Sequence, residues 1–84
     1  MPDLDRELNR VYQQLDQTTE EYHQNYVALE KAVTVLLAAG KSKDEARADS
    51  KVRDLLAQRS ALQDKTTDLS IRKWELLRQI QSAT

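Results

Sequence analysis

The chain predicts an all-α fold, an antiparallel two-helix hairpin packed in the manner of a coiled coil, and three observations carry that expectation. Leucine or tyrosine recurs on a seven-residue beat at Leu8, Leu15, Tyr22, Leu29 and Leu36. The same beat returns at Leu55, Leu62, Leu69 and Leu76. Between the two runs stands the only glycine, Gly40, followed by Ser42-Lys43-Asp44-Glu45. Apolar residues at this spacing form a stripe along one side of a helix that must be hidden against another helix. A glycine followed at once by a capping sequence marks a tight reversal between them.

The first helix is expected over about residues 3–39, with Asp3 as its cap and Asp5 and Glu7 at the positive end of the helix dipole. Gly40 ends it, since a left-handed residue after the last turn costs glycine nothing. The turn occupies residues 40–42. Ser42 and Glu45 form a capping box that opens a second helix over about 43–81, all 84 residues making one domain. So short a link forces the helices antiparallel, pairing positions whose numbers sum to roughly 82.

In the first helix Tyr12, Thr19, Tyr26 and Val33 stand three residues ahead of the leucine-tyrosine column and are expected to complete a two-column seam. Leu4, Val11, Ala32 and Leu37 widen it. In the second helix the partner column is Val52, Arg59, Thr66, Lys73 and Ile80, polar at three of its five positions. Polar seam residues lower stability but select one register. A polar belt is therefore expected at mid-length, built from Tyr22, Tyr26, Arg59 and Thr66, with the Arg59 guanidinium against a tyrosine ring.

Ile71, Trp74 and Leu77 fall on another side of the second helix from Leu69 and Leu76. A helix that is apolar on more than one side contacts more than one neighbour. These three residues, with Leu4 and Val11 on the first helix, are the expected oligomer or partner interface. A dimeric four-helix bundle is the favoured assembly, and an unidentified protein partner is the alternative cover for that surface.

Composition narrows the function classes. Charged residues make up 32% and hydrophobic ones 39%, with one glycine and one proline, which suits paired helices rather than an enzyme around an enclosed pocket. There is no cysteine, so disulfides and thiolate metal sites are excluded. A polar, acidic start with no apolar core argues against a secretory signal, and a cytoplasmic location is expected. The longest apolar-rich stretch, Ala32 to Ala39, is far short of the roughly 20 residues that cross a bilayer.

The net charge of −1 hides an asymmetry: residues 1–40 carry seven acids and three bases, a charge of −4, while residues 41–84 carry ten bases and seven acids, a charge of +3. Opposite charge on the two helices favours their pairing. The alternative use of the basic helix is nucleic-acid contact through Arg72, Lys73 and Arg78, although interspersed acids break up any block of like charge. No catalytic constellation emerges, so a non-enzymatic role without a cofactor is expected. Glu20 and His23 have the Glu-x-x-His spacing of carboxylate-bridged metal sites, but they fall outside the seam where such ligands must point, and no metal site is assigned.

The middle of the chain resembles small helical-hairpin accessory proteins of tailed bacteriophages and prophages. The matching residues are Tyr22, Tyr26 and Ala28, then Gly40, Lys41, Ser42, Lys43, Asp44, Glu45, Ala46, Arg47, Ala48 and Asp49. They reproduce a pattern of spaced aromatics, a Gly-Lys-Ser/Thr-x-x-Glu turn and an Ala/Arg/Asp-rich helix. The glutamine-rich first helix and Trp74 depart from it. The resemblance implies an accessory protein acting beside recombination or packaging machinery, with no catalytic residue to carry over.

Overall fold

The computed structural model describes residues 2–83. It contains α1 (Pro2–Ala38), α2 (Lys43–Ala48) and α3 (Ser50–Ala83). The long helices α1 and α3 pack along their length, and the short α2 touches both at the turn end. The result is a rod of 61 × 16 × 14 Å. Contacts between Glu7 and Arg72, Tyr22 and Arg59, and Asn25 and Leu55 join residues whose numbers sum to 79, 81 and 80. The arms are thus antiparallel, within a few residues of the expected register.

Helix α1 begins with a proline, tolerated in the first turn because its missing N–H would have no partner there. Asp3 lies within that first turn, beside Asp5, rather than ahead of it as a cap. At the other end the chain reverses through Gly40 at φ +89°. The Lys41 N–H donates to the Leu36 carbonyl and the Gly40 N–H to that of Leu37, each at 3.0 Å. This is the Schellman arrangement, which satisfies two carbonyls the helix end would leave open. The expected capping box follows, with the Glu45 N–H donating to Ser42 Oγ and the Ser42 N–H to Glu45 Oε1, both at 3.1 Å.

The second arm departs from a continuous helix over 43–81. It breaks at Asp49, where the backbone is extended at φ −61° and ψ 134°. The Asp49 carboxylate accepts from the Lys51 and Val52 N–H groups at 3.0 and 3.2 Å and so caps α3 afresh. The break resets the helix phase. Counting back seven from Val52 and Leu55, an unbroken helix would turn Glu45 and Ala48 toward α1. The observed arm leaves both exposed and buries Ala46 instead, at 3% exposure. Glu45 is thereby left free to serve the capping box.

The seam of α3 follows the expected columns: Val52 and Leu76 are buried, while Leu55, Arg59, Leu62, Thr66, Leu69, Lys73 and Ile80 are half-buried. The seam of α1 requires a correction. Its second column is Leu4, Val11, Thr18, Asn25 and Ala32, four residues ahead of the leucine-tyrosine column rather than three. Thr18 is fully buried and Asn25 is 6% exposed, whereas Tyr12 and Tyr26 stand 43% and 49% exposed and Thr19 is exposed as well. Leu4 and Val11 correspondingly belong to the hairpin's own packing: Val11 is buried and Leu4 half-buried. Val11 is not available as an outward-facing interface residue.

Polar side chains fit this column because each donates to a backbone carbonyl. The Thr18 hydroxyl donates to the Gln14 carbonyl at 2.7 Å, and Asn25 Nδ2 donates across the seam to the Leu55 carbonyl at 2.9 Å. Asn25 Oδ1, equally buried, accepts from nothing among the described residues. A lone buried acceptor costs free energy, and its value in a helical seam is to penalise other alignments.

Candidate functional site

Displacing Tyr12, Thr19 and Tyr26 from the seam, while Val33 stays half-buried, gives the rod two unlike sides. One side follows Glu7, Gln14, Glu21, Ala28 and Val35 on α1. There Arg72 Nη2 meets Glu7 Oε2 at 2.7 Å and Arg72 Nη1 meets Glu75 Oε2 at 3.3 Å. Shallow hollows walled by Ala28, Ala32 and Ala61 run from Glu21 to Lys51. Both partners of the Glu7–Arg72 pair are nearly half exposed, so it contributes on the order of a few tenths of a kcal/mol.

The opposite side is apolar at both ends and polar in the middle. Near the turn, Leu29, Val33 and Leu37 of α1, Ala46 of α2, and Val52 and Leu56 of α3 wall a groove of about 330 Å³, with Lys43 and Arg47 among its lining. Leu37 and Leu56 are 43% and 41% exposed beside it. At mid-length Thr19, Tyr22, Gln63, Thr66 and Thr67 surround a hollow of about 380 Å³. Toward the open end, Trp74 follows Thr67 by seven residues and so continues the same side. It is the most exposed of the large apolar side chains at 64%. The Nζ of the neighbouring Lys73 lies 5.3 Å from the Trp74 ring centroid.

The polar belt forms with one substitution. Arg59 Nε donates to the Tyr22 hydroxyl at 2.8 Å, and the guanidinium carbon lies 5.3 Å from the centre of the same ring. Gln63 Nε2 also approaches that hydroxyl, at 3.4 Å. The Arg59 hydrogen bond, aided by Gln63, holds the Tyr22 phenol below the ordinary tyrosine value because donors favour the phenolate. Thr66 joins the belt with its hydroxyl donating to the Leu62 carbonyl at 2.9 Å. Tyr26 does not, since it points outward with the displaced column. Thr18, Thr19 and Thr67, also bonded to carbonyls four residues back, complete the level.

The other expected residues are more scattered. At about 100° per residue, Leu77 lies on the seam side of Trp74 and Ile71 on the far side. Accordingly Leu77 is half-buried and Ile71 is 53% exposed. The residues considered for nucleic-acid contact are not equivalent either. Arg72 is engaged by two carboxylates, Lys73 is half-buried in the seam beside Trp74, and Arg78 is exposed. His23 is exposed, and Glu20 accepts a hydrogen bond from Gln24 at 3.4 Å. Among the described residues no three His, Asp or Glu side chains gather as a metal-holding group, and no helix is long and apolar enough to cross a membrane.

Comparison with protein-family models, with curated proteins and with solved structures returns no match to this chain.

Proposed function

We propose that this protein is a non-enzymatic interaction module that works by self-association, two hairpins forming a dimeric four-helix bundle. Its role is accessory rather than catalytic, in the manner implied by the resemblance of its turn to phage-type hairpins. The carrying observation is surface. A compact monomer of 9.7 kDa exposes about 5,100 Å² by the usual scaling, whereas this hairpin exposes 6523 Å², a surplus of about 1,400 Å². A standard protein interface covers about 800 Å² on each partner. The surplus is thus ample for one interface per chain.

The thinness of the core supports the same reading. Among the described residues only Val11, Ala46, Val52 and Leu76 are buried apolar side chains, while eight large apolar ones are exposed. A seam this narrow, flanked by apolar residues, suits a bundle better than a pair of isolated helices. Light scattering over a dilution series tests the proposal. The expected result is a mass of twice 9.7 kDa that falls toward 9.7 kDa on dilution. A monomer at every concentration up to the millimolar range would refute it.

A further inference from the structure

We infer that the dimer has one face and one orientation: the copies lie head to tail, and Trp74 of each chain seats in the turn-end groove of the other. The inference rests on the self-association proposed above and specifies its contact. Trp74 is the chain's single tryptophan, and its indole is the largest apolar group left exposed. The turn-end groove is a lined receptor for such a group. Its walls are aliphatic, and its 330 Å³ is open on the same side of the rod as Trp74. Lys43 and Arg47 belong to the groove lining, where a cation can lie against the face of a docked ring.

A closed dimer needs the same patch on both chains, related by a two-fold axis. Val52, on the groove floor at 2% exposure, and Trp74 are 22 residues apart, about 33 Å along the helical arm at 1.5 Å per residue. The midpoint is Gln63. An axis through Gln63 brings each tryptophan to the other chain's groove at once. Gln63 is also the midpoint of the 43–83 arm, so the same axis overlaps the two rods along nearly their whole length. It passes through the hollow formed by Thr19, Tyr22, Gln63, Thr66 and Thr67, where the threonine oxygens, already donating to carbonyls, can still accept, and the Tyr22 hydroxyl, which accepts from Arg59, can still donate. Laying the hairpins turn against turn does none of this. Groove would face groove, and Trp74 would face Trp74.

The opposite side of the rod is a poorer second interface. Its hollows are walled by Ala28, Ala32, Ala61, Leu55, Leu62 and Val35, but toward the open end it turns charged, and there Glu7, Arg72 and Glu75 already satisfy one another. The side that carries Leu37, Leu56 and Trp74 is the one whose apolar groups gain from a second copy.

The test uses the full chain, whose only tryptophan reports the contact directly. Emission and acrylamide quenching are followed over the dilution series used for the mass, and a nitroxide is placed at Lys41→Cys, the one cysteine the chain would then hold. Head-to-tail docking predicts blue-shifted, quench-protected emission that follows the mass curve. It also predicts turn labels separated by a distance near the 61 Å length of the rod. Leu56→Glu, at a position already 41% exposed, should raise the dimer dissociation constant about 30-fold or more while leaving the helical circular dichroism intact. A dimer whose tryptophan stays as quenchable as the monomer's, or whose turn labels lie within about 20 Å, two helix diameters, overturns the head-to-tail contact but leaves self-association standing. A chain monomeric at every concentration overturns both.

Discussion

Asn25→Leu should stabilise the hairpin, although it removes a hydrogen bond. Asn25 is 6% exposed, its Nδ2 donates to the Leu55 carbonyl, and its Oδ1 has no donor among the described residues. Losing the Nδ2 bond costs about 1 kcal/mol, while removing a buried orphan acceptor returns about 1–3 kcal/mol. The Leu55 carbonyl is not stranded, because the helix supplies it with the N–H four residues on. Burying an aliphatic side chain in place of the amide adds about 1–2 kcal/mol. The larger side chain also has room, since Asn25 borders an open hollow with Ala28 and Ala61. The net gain is about 2 kcal/mol, or about 8–16 °C in Tm for a domain of this size. Urea unfolding of both proteins at one fixed concentration measures it, because the self-association proposed above would make apparent stability depend on concentration. A loss of 1 kcal/mol or more would show that Asn25 Oδ1 is satisfied in solution and that the amide is a net stabiliser.

Three further outcomes follow from the geometry. Tyr22 should titrate below the ordinary tyrosine value in the ultraviolet, and Tyr22→Phe should remove that early phase. Because its pKa is lowered on folding, ionisation adds stability as the pH rises through the folded value, complete above the unfolded value near 10, and the increment is lost as the pH falls back through the folded value. Gly40→Ala should cost about 1 kcal/mol through its φ of +89° alone, because an added Cβ meets nothing within 4 Å; a neutral result in thermal melts would contradict the left-handed turn. Asp49→Ala should cost about 1 kcal/mol by uncapping α3, and Asp49→Asn much less; equal losses would argue for charge rather than capping.

The turn and the seam of α3 were legible in the sequence because their signals are local or unmixed. Gly40, Ser42 and Glu45 act within a few residues of each other, and Leu55, Leu62, Leu69 and Leu76 have no competing column. The α1 seam was harder, since Thr18 and Asn25 hold interior positions while Tyr12 and Tyr26, more apolar, stand outside. Periodicity ranks columns by hydrophobicity and cannot see that Asn25 reaches the Leu55 carbonyl on the other arm. The break at Asp49 was hidden by an Ala/Arg-rich stretch of good helix formers, though Asp49-Ser50 is itself a cap-forming pair. The Tyr22–Arg59 contact was legible once antiparallel pairing was assumed. The unlike sides of the rod, which define the candidate surface, became apparent only when the correct α1 column was known.

Three stop-and-start signals within ten residues of chain, at Gly40, Ser42 and Asp49, have a consequence for how the protein acquires its shape. The reversal is encoded locally, so the first cross-arm contacts, around Leu36, Ala46 and Val52, close loops of a dozen or so residues. Each later contact outward toward Glu7 and Arg72 extends a loop already closed, and the entropy of closure grows only slowly with length. Helical chains with such a contact order assemble on the microsecond-to-millisecond scale. The hairpin is therefore expected to zip from its bend toward its ends, each chain closing on itself.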